Sequence, residues 1–181
     1  LIMKPIKGRP QETPQDHVGR TPEASAIRVL LNEGAAHLQG GRLQEAEGAY
    51  RRVLDLAPNH PDALHHLGLL LYRLNRFDES ITTISRAIEQ APASPLYSFN
   101  LGVVAQKAAR LDEAIRAYRQ AVSLNPRHLE AWINLGNVLK DRGALPESIE
   151  AYQQALTVNP SHADTHNNLG AAFKEQGEME R

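Results

Sequence analysis

Glycine recurs in this chain at intervals of 34 residues. Five glycines keep this spacing without a slip: Gly34, Gly68, Gly102, Gly136 and Gly170. Prolines follow the same period at Pro58, Pro92, Pro126 and Pro160. A single globular core does not need a fixed period, whereas a stack of identical supersecondary units does. The period therefore predicts a repeat protein, and it directs the search for function to a surface rather than to an enclosed pocket.

The composition excludes several classes of function. The 181 residues have a net charge of −1, which gives no general electrostatic attraction to nucleic acid or to an anionic membrane. There is no cysteine, so disulfides, thiolate metal sites and cysteine nucleophiles are ruled out. No apolar run is long enough to span a bilayer, and Pro5 and Pro10 interrupt the region where a signal peptide needs apolar residues. We expect a cytoplasmic protein that binds neither nucleic acid nor membrane.

The chain divides into an N-terminal arm and a helical array. Residues 1–21 are basic and contain three prolines, which predicts a flexible arm. Thr21, Pro22 and Glu23 then combine a capping hydroxyl, a proline in the first turn and an acid near the helix N-terminus. The array follows over residues 22–181. Full units are predicted at about 27–60, 61–94, 95–128 and 129–162, and a partial fifth unit at 163–181.

Each unit carries the signals of two amphipathic helices joined by a turn. Gly41, Asn75 and Gly143 mark the turn, and Asn-Pro or Ala-Pro ends the second helix. The periodic glycine lies in the first helix, where it lets the second helix approach closely. We expect small residues of the second helix to face it (Ala46, Ser80, Ala114) and large ones to fill the space between units (Tyr50, Ile84, Tyr118, Tyr152).

The fourth unit resembles the tetratricopeptide repeat. The residues that carry the resemblance are Trp132, Leu135, Gly136, Leu139, Ser148, Tyr152, Ala155 and Pro160. The resemblance covers about residues 27–181 and implies an all-α fold. This fold is a right-handed superhelical solenoid of antiparallel helix pairs, here with four full repeats and a truncated fifth. In this family the first helices line a concave groove that binds peptide segments of other proteins, so the resemblance implies a non-catalytic scaffold for protein binding.

No constellation of residues predicts catalysis or a bound metal. The chain has no phosphate-binding glycine loop, nucleophile elbow or zinc-protease motif. His60, His128 and His162 share one repeat position, which favours a role at the junction between units. His162 and His166 are spaced to share one helical face, but zinc needs three or four ligands and the sequence indicates no third. We expect no enzyme activity, no metal and no cofactor in this segment.

One repeat position is expected to form a polar row along the groove. It holds Asn32, His66, Asn100, Asn134 and Asn168, which we call the asparagine ladder. Each carboxamide offers a donor and an acceptor, matching the two groups of a peptide unit. The ladder therefore predicts that an extended chain is held by its backbone. The alternative is that asparagine is simply a tolerated polar residue beside the repeat glycine.

Neighbouring positions add charge and apolar surface to the predicted groove. A basic rim is expected along one edge (Arg73, Lys107, Lys140, Lys174) and acids along the other (Asp62, Glu130, Asp164). Phe99 and Ile133, with Leu69 and Val103, supply an apolar patch, and Asn137 adds a further amide. We predict as ligand an extended peptide with one apolar anchor and with acidic residues toward the basic rim.

The ladder also resembles the repeat region of O-linked N-acetylglucosamine transferase, most closely in residues 131–140 and 167–176. That resemblance implies an alternative function, a substrate-recruiting region of a larger glycosyltransferase. The chain ends just after Met179, where the second helix of the fifth unit should begin. Leu169, Ala172 and Phe173 are expected to lack their partner helix. This predicts a fragment of a longer protein whose open edge pairs with another copy.

Overall fold

The computed structural model describes residues 21–179, and this part of the chain contains nine α-helices and no strand. The helices are α1 (Pro22–Gln39), α2 (Leu43–Leu56), α3 (Pro61–Arg73), α4 (Phe77–Gln90), α5 (Pro95–Lys107), α6 (Leu111–Leu124), α7 (Leu129–Asp141), α8 (Leu145–Val158) and α9 (Ala163–Met179). Each first helix pairs with the second helix that follows it, and each pair contacts the next, so the predicted all-α solenoid is confirmed. The predicted arm lies outside the described residues except for Thr21. No helix among the described residues is both long and apolar enough to cross a membrane.

The residue just before each first helix caps its N-terminus in four of the five units. Thr21, His60, Ser94 and His162 each accept a hydrogen bond from the backbone N–H three residues later, at 3.1–3.4 Å. Such caps satisfy one of the free N–H groups at a helix start. His128 occupies the same position without capping, and its Nδ1 instead lies 3.2 Å from the Glu130 carboxylate. The periodic histidines therefore act at the junctions between units.

The turns inside the units share one backbone conformation. Gly41, Asn75, Ala109 and Gly143 all have positive φ, between 58° and 81°. Glycine adopts this left-handed region freely, but alanine does so at a cost. Ala109 was not expected from its residue type. In the fifth unit α9 continues through Gly177, the equivalent position, and Met179 belongs to the first helix instead of beginning a second one.

The glycine of the first helix accommodates a large side chain of the second helix. A Cβ atom on Gly34, Gly102 or Gly136 would lie 2.5 Å from a ring carbon of Tyr50, Tyr118 or Tyr152, respectively. These three rings are fully buried, as is Ile84, which takes the same place against Gly68. The predicted close approach of the two helices is confirmed. Its physical reason is that no other residue type leaves room for the ring.

Serine reinforces the same contact in two units. The hydroxyls of Ser80 and Ser148 donate to the carbonyl oxygens of Gly68 and Gly136, each at 2.7 Å. Both serines are fully buried, and Ala46 and Ala114 are fully buried at the same position in the other units. Each hydroxyl therefore has its partner inside the helix pair, which a buried polar group requires.

The two ends of the described array expose apolar side chains. Val29 on α1 is 53% exposed and Phe173 on α9 is 49% exposed. Val29 occupies a position that α2, α4, α6 or α8 covers in the later units. The expectation for α9 was wrong in part, because Ala172 is fully buried with Ile149 and Tyr152 of α8, and Leu169 is half-buried against the same cluster. Phe173 remains largely exposed.

Candidate functional site

The asparagine ladder places one residue on each first helix. Asn32 is exposed, whereas His66, Asn100, Asn134 and Asn168 are half-buried. First helices of neighbouring units contact each other directly where α3 meets α5 and where α7 meets α9. A hydrogen bond of a ladder asparagine spans each of these contacts. Asn100 and Asn168 are therefore tied to the preceding unit, and the fold fixes the positions of these two ladder residues.

A buried histidine holds the ladder residue of the third unit. The Nδ2 of Asn100 lies 2.8 Å from Nε2 of His65, whose side chain is 4% exposed. The His65 ring stacks on Tyr97 with 4.4 Å between the ring centroids, and the Tyr97 hydroxyl donates to Asp62 Oδ1 at 2.5 Å. Burial, with a smaller contribution from His66, lowers the pKa of His65 to about 4. His65 is therefore neutral at pH 7 and accepts the Asn100 amide hydrogen through Nε2.

Asn137 is the acceptor at the other end of the ladder. Its Oδ1 receives the Tyr152 hydroxyl at 2.7 Å and Nδ2 of Asn168 at 3.2 Å. Both lone pairs of this oxygen are thus used. Asn137 was predicted as a groove residue, and the structure places it between the ladder and the tyrosine that packs on Gly136.

The third unit contains a similar tyrosine and amide cluster. The Tyr118 hydroxyl donates to Gln106 Oε1 at 2.9 Å. Burial raises the pKa of Tyr118, and the neighbouring Asn134 side chain partly offsets that rise. Asn134 of the fourth unit therefore lies near the tyrosine of the third, and Asn168 is hydrogen-bonded to the cluster of the fourth.

The first two units lack this amide partner. The ring of Tyr50 stacks on that of His66, with centroids 5.6 Å apart and planes 14° apart. Within residues 21–179, neither the Tyr50 hydroxyl nor His66 Nδ1 has a hydrogen-bond partner, although both atoms are buried. Ala35 and Leu38 stand at the repeat positions of Asn137 and Gln106, so the first unit has no amide for its tyrosine.

The predicted apolar patch centres on an aromatic cluster. Phe99 is half-buried between the rings of Tyr118 and His128, with centroids 6.0 and 4.6 Å away. Ile133, Leu69 and Val103 are half-buried as well. Phe99, Leu69 and Val103 each keep part of their surface accessible while the remainder packs on the core.

The predicted basic rim is made of two rows rather than one. Arg73 and Lys107 are one period apart and exposed, while Lys140 and Lys174 occupy the repeat position just before theirs. Adjacent positions on a helix diverge by about 100°, so the two pairs point in different directions. Lys140 is half-buried, and Lys174 lies 3.7 Å from the Glu178 carboxylate.

Sequence models of one repeat family match most of this array. The model described as tetratricopeptide repeat matches residues 29–95, and the model described as TPR repeat matches residues 110–141 and 136–177. Together these ranges span well over half of the chain. The chain belongs to the tetratricopeptide repeat (TPR) family.

Solved structures with the same TPR fold have little sequence in common with the chain. A crystal structure of MamA superposes with a TM-score of 0.80 at 23% identity and covers 84% of each chain. YrrB, described as a TPR protein with an unusual peptide-binding site, superposes with a TM-score of 0.74 at 21% identity and covers 87% of this chain and 84% of its own. A third relative, Protein POLLENLESS 3-LIKE 2 of Arabidopsis thaliana, is 41% identical over 62 residues, which are 34% of this chain and 14% of that protein. These similarities establish the fold, and the resemblance to O-linked N-acetylglucosamine transferase stays a prediction.

The histidine pair of the last TPR unit is engaged in local hydrogen bonds. His162 Nδ1 lies 2.9 Å from Thr165 Oγ1 in addition to its capping role, and His166 Nε2 lies 2.8 Å from the Pro160 carbonyl oxygen. Trp132 makes the equivalent bond to the Pro126 carbonyl oxygen at 2.9 Å. The pair therefore packs the unit junction. Over residues 21–179, no three acidic or imidazole side chains gather in a group that could hold a metal ion.

The surface of this TPR array also has cavities away from the ladder. One of about 410 Å³ lies between α6, α7 and α8, and one of about 380 Å³ lies between α2, α3 and α4. Nearly all residues that line them correspond across two periods, for example Leu67 with Leu135 and Glu79 with Glu147. These cavities follow from helix stacking. We therefore place the candidate site at the ladder, where buried polar groups meet accessible ones.

Sequence reasoning missed the role of His65 and Gln106. His65 is next to a ladder position and Gln106 is six residues after one, and neither residue type recurs with the period. The one available signal was the replacement of an apolar residue by a polar one on a first helix that otherwise packs inward. At position 65 the neighbouring units have Leu31, Phe99 and Ile133.

Proposed function

We propose that this TPR array is a scaffold that binds an extended segment of a partner protein along the ladder face, the surface formed by α1, α3, α5, α7 and α9. The observation that carries the proposal is the row of half-buried carboxamides, held by hydrogen bonds to the preceding unit. Such preorganised groups bind without the cost of ordering free side chains. The half-buried Phe99 beside the row offers an apolar anchor point.

The rest of the ladder face supports a ligand of mixed character. Arg73, Lys107 and Glu130 are all exposed. The ligand of best fit has one apolar side chain near Phe99 and acidic side chains toward the two basic rows. YrrB has the same fold and is described as binding peptides, which agrees with this use of the fold. A recruiting role for a glycosyltransferase would use the same face, but no contact in the structure favours it over a scaffold.

The test begins with a library of random linear peptides displayed on phage and selected on the 181-residue chain. The double variant Asn100→Ala/Asn134→Ala removes two neighbouring carboxamides. We expect selected peptides to bind it about tenfold more weakly or worse, because two hydrogen bonds of about 1 kcal/mol each are lost. Gln153→Ala, an exposed site on α8, is the matched control and should leave affinity unchanged.

Stability has to be measured in parallel, because Asn100 also bonds to His65. Thermal unfolding of each variant shows whether the array remains folded at the temperature of the binding assay. A folded double variant with unchanged affinity would exclude the ladder as the binding site.

A further inference from the structure

Two asparagines of the ladder share one hydrogen-bonding direction. Asn100 on α5 donates back to His65 on α3 at 2.8 Å, and Asn168 on α9 donates back to Asn137 on α7 at 3.2 Å. In both cases the amino end of the carboxamide is turned toward the preceding unit.

The two acceptors are held in place by other contacts of the fold. His65 is buried and stacked on Tyr97, so its bare Nε2 needs a donor. Asn137 Oδ1 already receives the Tyr152 hydroxyl, and Asn168 completes its pair of donors. The direction of these two ladder amides is therefore imposed by the fold before any peptide binds.

The free end of each of these carboxamides is its oxygen. The hydrogen bonds within residues 21–179 leave Oδ1 of Asn100 and of Asn168 without a donor, and both side chains are half-buried rather than enclosed. We infer that the ladder presents acceptors at these two positions and selects its ligand by donated N–H groups. This inference rests on the proposed function and adds the chemistry of the ligand to it.

The charged side chains of the ladder face determine which hydrogen-bond donors of a ligand can approach the ladder oxygens. Arg73 and Lys107 are exposed beside the ladder and repel lysine or arginine side chains of a ligand. Backbone N–H groups carry no net charge, and an extended chain presents them on one side at every second residue, about 6.4–6.8 Å apart. The ligand is therefore an extended segment whose backbone N–H groups face the ladder. Proline, which has no N–H, is excluded at those positions.

The direction of the ladder can be tested without any ligand. Two-bond proton–nitrogen NMR spectra of the full chain report which ring nitrogen of each histidine carries the proton, and His65→Phe identifies the His65 signals while keeping an aromatic ring against Tyr97. We expect His65 to be protonated on Nδ1 with a bare Nε2, and the Asn100 side-chain amide protons to move when the acceptor is removed. Protonation of His65 on Nε2 would reverse the Asn100 amide and overturn the inference.

The ligand chemistry is tested on peptides selected from the random library. Each backbone nitrogen of the peptide is methylated in turn, and each side chain is replaced by alanine as the matched control that keeps the N–H. We expect about tenfold weaker binding on methylation at alternate positions of the core, because each lost N–H leaves a carboxamide oxygen unpaired. Selected peptides should lack proline at those positions.

The outcomes separate this inference from the proposed function. Peptides that bind the ladder face but tolerate methylation at every position would overturn the inference and leave the proposed function standing. A library that yields no ladder-dependent peptide would overturn the proposed function and the ligand chemistry together. The His65 tautomer would then still decide the direction of the ladder.

Discussion

The two halves of the ladder face are built on the same period but differ in how their polar groups are paired. In units three and four, Tyr118 and Tyr152 each donate to an amide, and Asn168 of the fifth unit adds a second donor to the amide of Tyr152. In unit one the same position holds Tyr50, whose buried hydroxyl meets no partner within residues 21–179 and whose ring stacks on His66, the ladder residue of unit two. The packing of the ring is common to both halves, and the hydrogen bonding is not.

This difference shows that a repeat position has two separable roles. The side chain at this position fills the space that the repeat glycine leaves open. It is a tyrosine in units one, three and four and Ile84 in unit two. The tyrosine hydroxyl adds a hydrogen bond only where a side-chain amide oxygen lies within reach. A position that is uniform in residue type can therefore be uniform in packing while its hydrogen bonding changes from unit to unit.

The largest expected effect concerns the part that both halves share. Tyr50→Ala and Tyr152→Ala should each lower the free energy of unfolding by about 3–5 kcal/mol, because each removes a fully buried ring and leaves a cavity against glycine. Urea unfolding followed by circular dichroism measures both. A loss of unfolding free energy for Tyr50→Ala far below that for Tyr152→Ala would mean that the first unit contributes little to the cooperative array. The ring packing would then not be common to the two halves.

Much of the fold, but less of the site, could be predicted from the sequence. The glycine period predicted the helix pairs and their close approach, because a repeated steric requirement leaves a repeated residue. The tyrosine rings were expected between units, whereas each packs on the glycine of its own unit. Ala109 at positive φ escaped prediction, since its conformation is imposed by the neighbouring helices against its own preference. The bond between His65 and Asn100 escaped for another reason: it joins residues of different units through one non-periodic side chain, and such pairs leave no pattern in a single sequence.

The second largest expected effect is a difference in the pH dependence of stability between the two halves of the ladder face. His65 titrates in the N-terminal half, whereas the amide clusters of the C-terminal half do not. The folded-state pKa of about 4 lies below the ordinary value near 6.5, so between these values the unfolded chain binds more protons than the folded one. Stability is therefore complete above pH 6.5 and falls as the pH drops toward 4, by up to about 3 kcal/mol. The groups around His65 are His66, Asp62 and Tyr97.

The measurement compares wild type with His65→Gln, because all other titrating groups are common to both and cancel. Unfolding free energies from urea titrations at pH 7, 6, 5 and 4 give the two curves. We expect the wild type to lose more stability than the variant over this interval, and hydrogen exchange to show the loss first in α3 and α5. Parallel curves would show that His65 is not held neutral by the fold.

The smallest effect is the most direct test of the difference between the halves. Tyr152→Phe removes a hydroxyl that donates to Asn137, so it should cost about 1 kcal/mol or somewhat more, because the asparagine oxygen loses a partner. Tyr118→Phe should behave in the same way through Gln106. Tyr50→Phe removes a buried hydroxyl without a described partner, and should be neutral or slightly stabilising. Equal costs for all three variants would show that Tyr50 is hydrogen-bonded in solution, and the two halves of the ladder face would then differ in residue type but not in pairing.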